Sequence, residues 1–119
     1  MAEFSIDILF RNMDHSAAVE ADIRKKIATL ERFADHIVDC RVVVDAPHKH
    51  SHKGGLYDVH INITMPGQDI VINRAGVRNH AHEDIYVAVR DAFDAAVRKL
   101  EDHAQKTREN ARKHSPEPS

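Results

Sequence analysis

Tryptophan is absent from this 119-residue chain, and cysteine occurs once, at Cys40. A single thiol excludes an internal disulfide and suits a reducing compartment. Glycine and proline are scarce, four of each, which excludes collagen-like and low-complexity classes. Aromatic residues make up only 5% of the chain, too few to favour a sheet that stacks unpaired bases. No run approaches the roughly 18 apolar residues of a membrane span. The opening MAEFSIDILF holds two acids and no basic stretch, so no secretory signal is expected and the chain is placed in the cytoplasm. Basic charge is not in excess either. The net charge is -2 with histidine neutral, unlike a typical nucleic-acid binder.

What is present is the composition of one globular domain, 42% hydrophobic and 30% charged. Residues 4–11 alternate, with Phe4, Ile6, Ile8 and Phe10 on one face, as in a half-buried strand. From about Ser16 to Phe33, Val19, Ile23, Ile27, Leu30 and Ala34 form a helical stripe. Asp14 and Ser16 are both candidates for its N-cap. Residues 37–45 read as a second strand with Val38, Cys40, Val42 and Val44 inward. A third follows with Tyr57, Val59, Ile61, Ile63 and Met65, then a turn at Pro66-Gly67 and a short strand over 69–74. A last helix is expected over 83–105, with the stripe Tyr86, Val89, Phe93, Ala96 and Leu100. The order β-α-β-β-β-α predicts an α+β two-layer sandwich, a four-stranded mixed sheet with two helices on one face. Its outline is that of double-stranded-RNA-binding domains. The domain is expected over 1–105, with 106–119 a disordered charged tail.

If the first two strands are parallel and the last three a meander, the connections 11–15, 46–55 and 75–82 share one end of the sheet. They carry six of the ten histidines, and both helix N-termini point there. Two readings follow: a phosphate-binding end, or solvated histidine-rich loops. The spacing His48-x-His50-x-His52 also admits a metal reading, but no carboxylate or cysteine accompanies it, so no native metal and no cofactor is expected. The outward face of the sheet carries mainly charged and small polar side chains, read as solvated. Basic residues lie on both helices among acids at pairing distance, which reads first as solvated helix faces. Cys40 reads as a core residue. Glu83-Asp84, at a helix start, suits the helix dipole better than a catalytic dyad. No phosphate loop, nucleophile elbow or metalloprotease motif occurs, so neither an enzyme nor a small-molecule substrate is expected.

The segment His82-Glu83-Asp84-Ile85-Tyr86-Val87-Ala88-Val89 resembles the signature of the ribosome hibernation-promoting factor / ribosome-associated inhibitor A family, the sigma-54 modulation proteins. Ile23 through Phe33, IRKKIATLERF, resembles that family's first helix, and Met65-Pro66-Gly67 its turn before the fourth strand. The resemblance covers about residues 4–106 and is to the short form, without the domain that pairs ribosomes. It implies a protein that sits on the small ribosomal subunit, contacts 16S rRNA near the decoding region, and blocks tRNA and mRNA by occlusion. The residues it implies for rRNA contact are Lys26, Arg32, Arg98 and Lys106 on the helices; Lys99, where the family commonly has Gln, is a further candidate, and the adjoining loops add Lys49, Lys53, Arg74 and Arg78. His82, Glu83, Asp84 and Tyr86 carry the family motif. Thr29, Ala95 and Asp102 depart from it where the family is often basic, so a weaker, less salt-dependent contact is expected, with the His/Lys loop 46–55 in compensation. The alternative is a free-standing RNA-binding or histidine-mediated stress adaptor with weak ribosome affinity.

Overall fold

The computed structural model describes residues 4–33, 36–46, 57–73 and 84–113, with side chains of the last helix as far as Lys106. The elements are β1 (Ser5–Arg11), α1 (Ala17–Leu30), β2 (Asp39–Asp45), β3 (Asp58–Met65), β4 (Gln68–Asn73) and α2 (Ile85–Lys113). They form one sheet in the order β1-β2-β3-β4. β1 runs parallel to β2, while β2–β3 and β3–β4 are antiparallel. This is the expected α+β architecture, and the alternation explains it. The inward residues of all four strands are apolar, and both helices cover that one face.

The core is built from α1 residues Val19, Ile23, Ile27 and Leu30, the strand residues Cys40, Val42, Val44, Val59, Ile61 and Ile63, and the α2 residues Val89, Phe93, Ala96 and Leu100, all buried. Two expectations are corrected. Tyr86, on the stripe of α2 expected to be buried, is 45% exposed. Ala88 and Ala92 are buried instead, small side chains that suit a helix packed closely on its neighbours. Val38, expected among the inward residues of β2, is 55% exposed. It precedes the strand, past the cover of the helices, and its N–H donates to the Thr64 carbonyl at 2.8 Å.

The helix boundaries also differ. α1 closes at Leu30, and 31–33 form a turn. α2 continues past Gln105 to Lys113, so 106–113, expected in a disordered tail, are helical. That stretch, KTRENARK, is charged but holds no glycine or proline and is dominated by strong helix formers. Charge alone is a poor guide to disorder there.

Local chemistry fixes the joints. Asn12 adopts the left-handed region at φ 57°, which asparagine tolerates better than most residues. Its side-chain amide donates to Asp45 at 2.8 Å, tying the end of β1 to the end of β2. Ser16 is the N-cap of α1, its Oγ accepting from the Val19 N–H at 3.2 Å. Ser16→Ala is expected to cost about 1 kcal/mol, measurable by urea denaturation. In the first turn, His15 and Arg24 beside Glu20 hold its carboxyl below the ordinary carboxylate range. A lowered pKa stabilises above that ordinary range, and the contribution is lost as pH falls through the lowered value. Gly67, between β3 and β4, takes φ +82°, which glycine adopts freely.

Cys40 is fully buried on β2. Burial pushes its thiol up to about 12, with the charge of Asp39 adding to the shift. The thiolate is the reactive form, so iodoacetamide at pH 8 is expected to label native protein roughly a thousandfold more slowly than a free thiol, and to label it readily in urea.

Candidate nucleic-acid interface

The register sets the layout. Arg11, Asp45 and Asp58 are aligned across β1, β2 and β3, and β4 ends beside them at Asn73, opposite His60. Both helices begin at this end. Segments 47–56 and 74–83 are therefore attached there, as the meander requires. Lys49, Lys53, Arg74, Arg78, His82 and Glu83 lie outside the described residues, as do His48, His50 and His52 of the metal reading. Among the described residues, no group of three or more His, Cys, Asp or Glu side chains converges to hold an ion.

On α1 the cations divide into two sets. Arg24 pairs with Glu20 at 3.3 Å and Lys26 with Asp22 at 3.1 Å, each one helical turn away. Lys25 and Arg32 are exposed and have no ion-pair partner among the described residues. Lys25 lies on the side of α1 opposite the Val19-Ile23-Ile27-Leu30 stripe, and Arg32 follows in the turn over 31–33. Around Lys25 the exposed residues are Ala18, Ala21, Ala28 and Thr29, and the neighbouring acid, Asp22, is engaged by Lys26.

α2 is different. Its cations as far as Lys106 are Arg90, Arg98, Lys99 and Lys106, and they are matched by Asp91, Asp94, Glu101 and Asp102. Arg90 pairs with Asp91 at 3.4 Å. Arg98 is exposed and unpaired among the described residues, but Asp94, Glu101 and Asp102 sit one turn away on either side. Lys99 reaches sideways, and its ammonium donates to the Val71 carbonyl on β4 at 3.0 Å. Lys106 is exposed.

Of the helix residues singled out from sequence, Arg32, Arg98 and Lys106 therefore present free charge, while Lys26 and Lys99 are engaged. Lys25 is the candidate that sequence reasoning passed over. The signal was available: Lys26 has an acid four residues back at Asp22, whereas Lys25 has Ala21. Within the family motif, Asp84 caps α2. Its Oδ1 accepts from the Tyr86 N–H at 2.8 Å, and its carbonyl accepts from the Ala88 N–H at 3.0 Å. Ala88 and Val89 bury the helix start, and Tyr86 stands exposed beside it.

Fold and surface together define a small two-layer α+β domain with exposed cations on the helix side, among them Lys25, Arg32 and Arg98, and two more, Arg11 and Arg41, on the strands. A sequence model of the family described as Sigma 54 modulation protein / S30EA ribosomal protein matches residues 6–108. The chain belongs to that family, the ribosome hibernation factors its motifs resemble. Two solved structures are similar. The N-terminal domain of Thermus thermophilus Protein Y superposes with a TM-score of 0.61 at 20% identity, covering 84% of this chain and 99% of that one. A ribosomal subunit interface protein from Coxiella burnetii superposes with a TM-score of 0.59, also at 20% identity, covering 88% and 98%. At that identity the likeness is one of fold. No curated protein sequence matches the chain.

Proposed function

We propose that the protein is a ribosome-associated translation inhibitor that binds the small subunit through 16S rRNA near the decoding region and sterically blocks tRNA and mRNA. The observation that carries this reading is the family match over residues 6–108. The fold shared with the Coxiella burnetii ribosomal subunit interface protein agrees with it. The chemistry needed is modest. No bond is made or broken, and affinity comes from cations set against phosphates. Lys25 and Arg32 are the helix residues best placed for this, joined by Arg98, Lys106 and the basic residues of the adjoining loops. A cytoplasmic location follows from the role.

The test is sedimentation of the purified chain with ribosomes through a sucrose gradient. Co-migration with small subunits or whole ribosomes is expected, reduced when tRNA and mRNA are bound first. Recovery only in the soluble top fractions would overturn the reading in favour of the free-standing adaptor. The near-neutral outer face of α2 is the observation that keeps that second reading in play.

A further inference from the structure

β1 is an outer strand of the sheet, and half of its backbone groups are engaged. The Ser5 N–H donates to the Val38 carbonyl, and the Arg11 carbonyl accepts from the Ala46 N–H. Both bonds run to the β2 side, so the odd-numbered residues of β1 direct their N–H and C=O groups there. Those of Ile6, Ile8 and Phe10 point the other way, where no strand receives them among the described residues. Such an edge invites another strand unless something blunts it. β1 has no proline and no lysine, and its register with β2 runs one to one from Ser5 to Arg11 without a bulge.

The side chains are incompletely covered along the same edge. On the inner face Cys40, Val42 and Val44 of β2 are fully buried, whereas Ile6, Ile8 and Phe10 beside them are half-buried. On the outer face Leu9 is 40% exposed. It stands between Asp7 and Arg11, one charge of each sign. Across β1 and β2, Asp7 lies opposite Arg41 and Arg11 opposite Asp45.

We propose that β1 pairs antiparallel with β1 of a second copy, across a two-fold axis at Leu9, joining two sheets into one. In that register Ile8 and Phe10 of the two copies exchange the backbone bonds that the edge lacks, and on the inner face they cover each other's exposed flanks. On the outer face Leu9 meets Leu9, and Asp7 of each copy meets Arg11 of the other. Each outer row then runs Asp45, Arg11, Asp7, Arg41 across the joint, alternating in sign, which favours the pairing. A shift of register by two residues sets Asp7 against Leu9 and loses both charge pairs. The inference goes beyond ribosome binding and does not rest on it.

Sedimentation equilibrium of the full chain reads the association, and a mass rising with concentration from one chain to two is expected. Asp7→Lys and Arg11→Glu should each weaken self-association about tenfold, because each sets like charges across the joint. An equal mixture of the two variants should regain association to within about threefold of the unaltered chain. In the mixed pair the introduced lysine meets the introduced glutamate, and the native Arg11 meets the native Asp7. Circular dichroism confirms that each variant folds, and a folding defect would not be repaired by mixing. Leu9→Lys should weaken association severalfold, whereas Val71→Lys, on the opposite outer strand, should stay within about twofold. A single-chain mass up to about 1 mM would leave the edge without a second copy and overturn the proposal. So would association that neither charge reversal moves, a mixture no tighter than its components, or equal weakening by Leu9→Lys and Val71→Lys.

Discussion

Replacing Lys25 and Arg32 together by glutamate is expected to weaken binding to the small ribosomal subunit about a hundredfold near 0.1 M salt, with the thermal midpoint almost unchanged. Both side chains are exposed, Lys25 on α1 and Arg32 in the turn that follows it, and neither has an ion-pair partner among the described residues, the nearby Asp22 being held by Lys26. Each exchanges a phosphate contact for a repulsion, and a hundredfold corresponds to about 2.7 kcal/mol over two sites. The slope of log affinity against log salt should become shallower by about two. Neither residue supports the core, so folding is spared. Lys26→Glu at the neighbouring position is a useful contrast. It sets a second carboxylate against Asp22, destabilising the helix by a few tenths of a kcal/mol, but removes a charge already held by Asp22 at 3.1 Å. A smaller loss of binding is expected from it than from Lys25→Glu alone. Unchanged affinity and slope in the double variant would remove α1 from the contact surface.

Ile61→Ala is expected to destabilise the domain by about 3 to 4 kcal/mol, the largest stability effect foreseen for one residue. Ile61 is 1% exposed, sits on the interior strand β3 between Val42 and Ile72 in the register, and lies beneath α2. Truncation removes buried methyl groups and leaves a space that a sheet held on both sides cannot close. Against a total of roughly 5–15 kcal/mol for a domain of this kind, the midpoint in urea should fall by about a fifth or more with the slope unchanged. A loss below about 1 kcal/mol would mean that the sheet and α2 collapse into the space.

The architecture was readable because each strand alternates and α1 has a continuous aliphatic stripe. A strand-helix-strand order allows parallel pairing of β1 with β2 without requiring it; the register shows that pairing, and the end of the sheet that gathers the loops follows from it. What escaped was decided by neighbours. Tyr86 fits the period of α2, yet it sits where the helix leaves the sheet, and alanines fill the close approach. Val38 keeps the alternation of β2 but lies beyond the helices. The helical stretch to Lys113 was hidden by its charge. The candidate interface was legible in kind but not in detail. A string of Arg-Lys-Lys does not say which charge is free, whereas the spacing to Glu20 and Asp22 does. Lys99, read as a phosphate contact, is committed sideways to a backbone carbonyl because α2 runs along β4.

That lysine has a consequence for how chains meet one another. β4 and β1 are the outermost strands, and α2 closes one border by placing an ammonium on the Val71 carbonyl, where a foreign backbone would seek its first bond. The other border, along β1, carries no such contact among the described residues. An intruding strand therefore meets one more obstacle at β4 than at β1, and shortening Lys99 removes it.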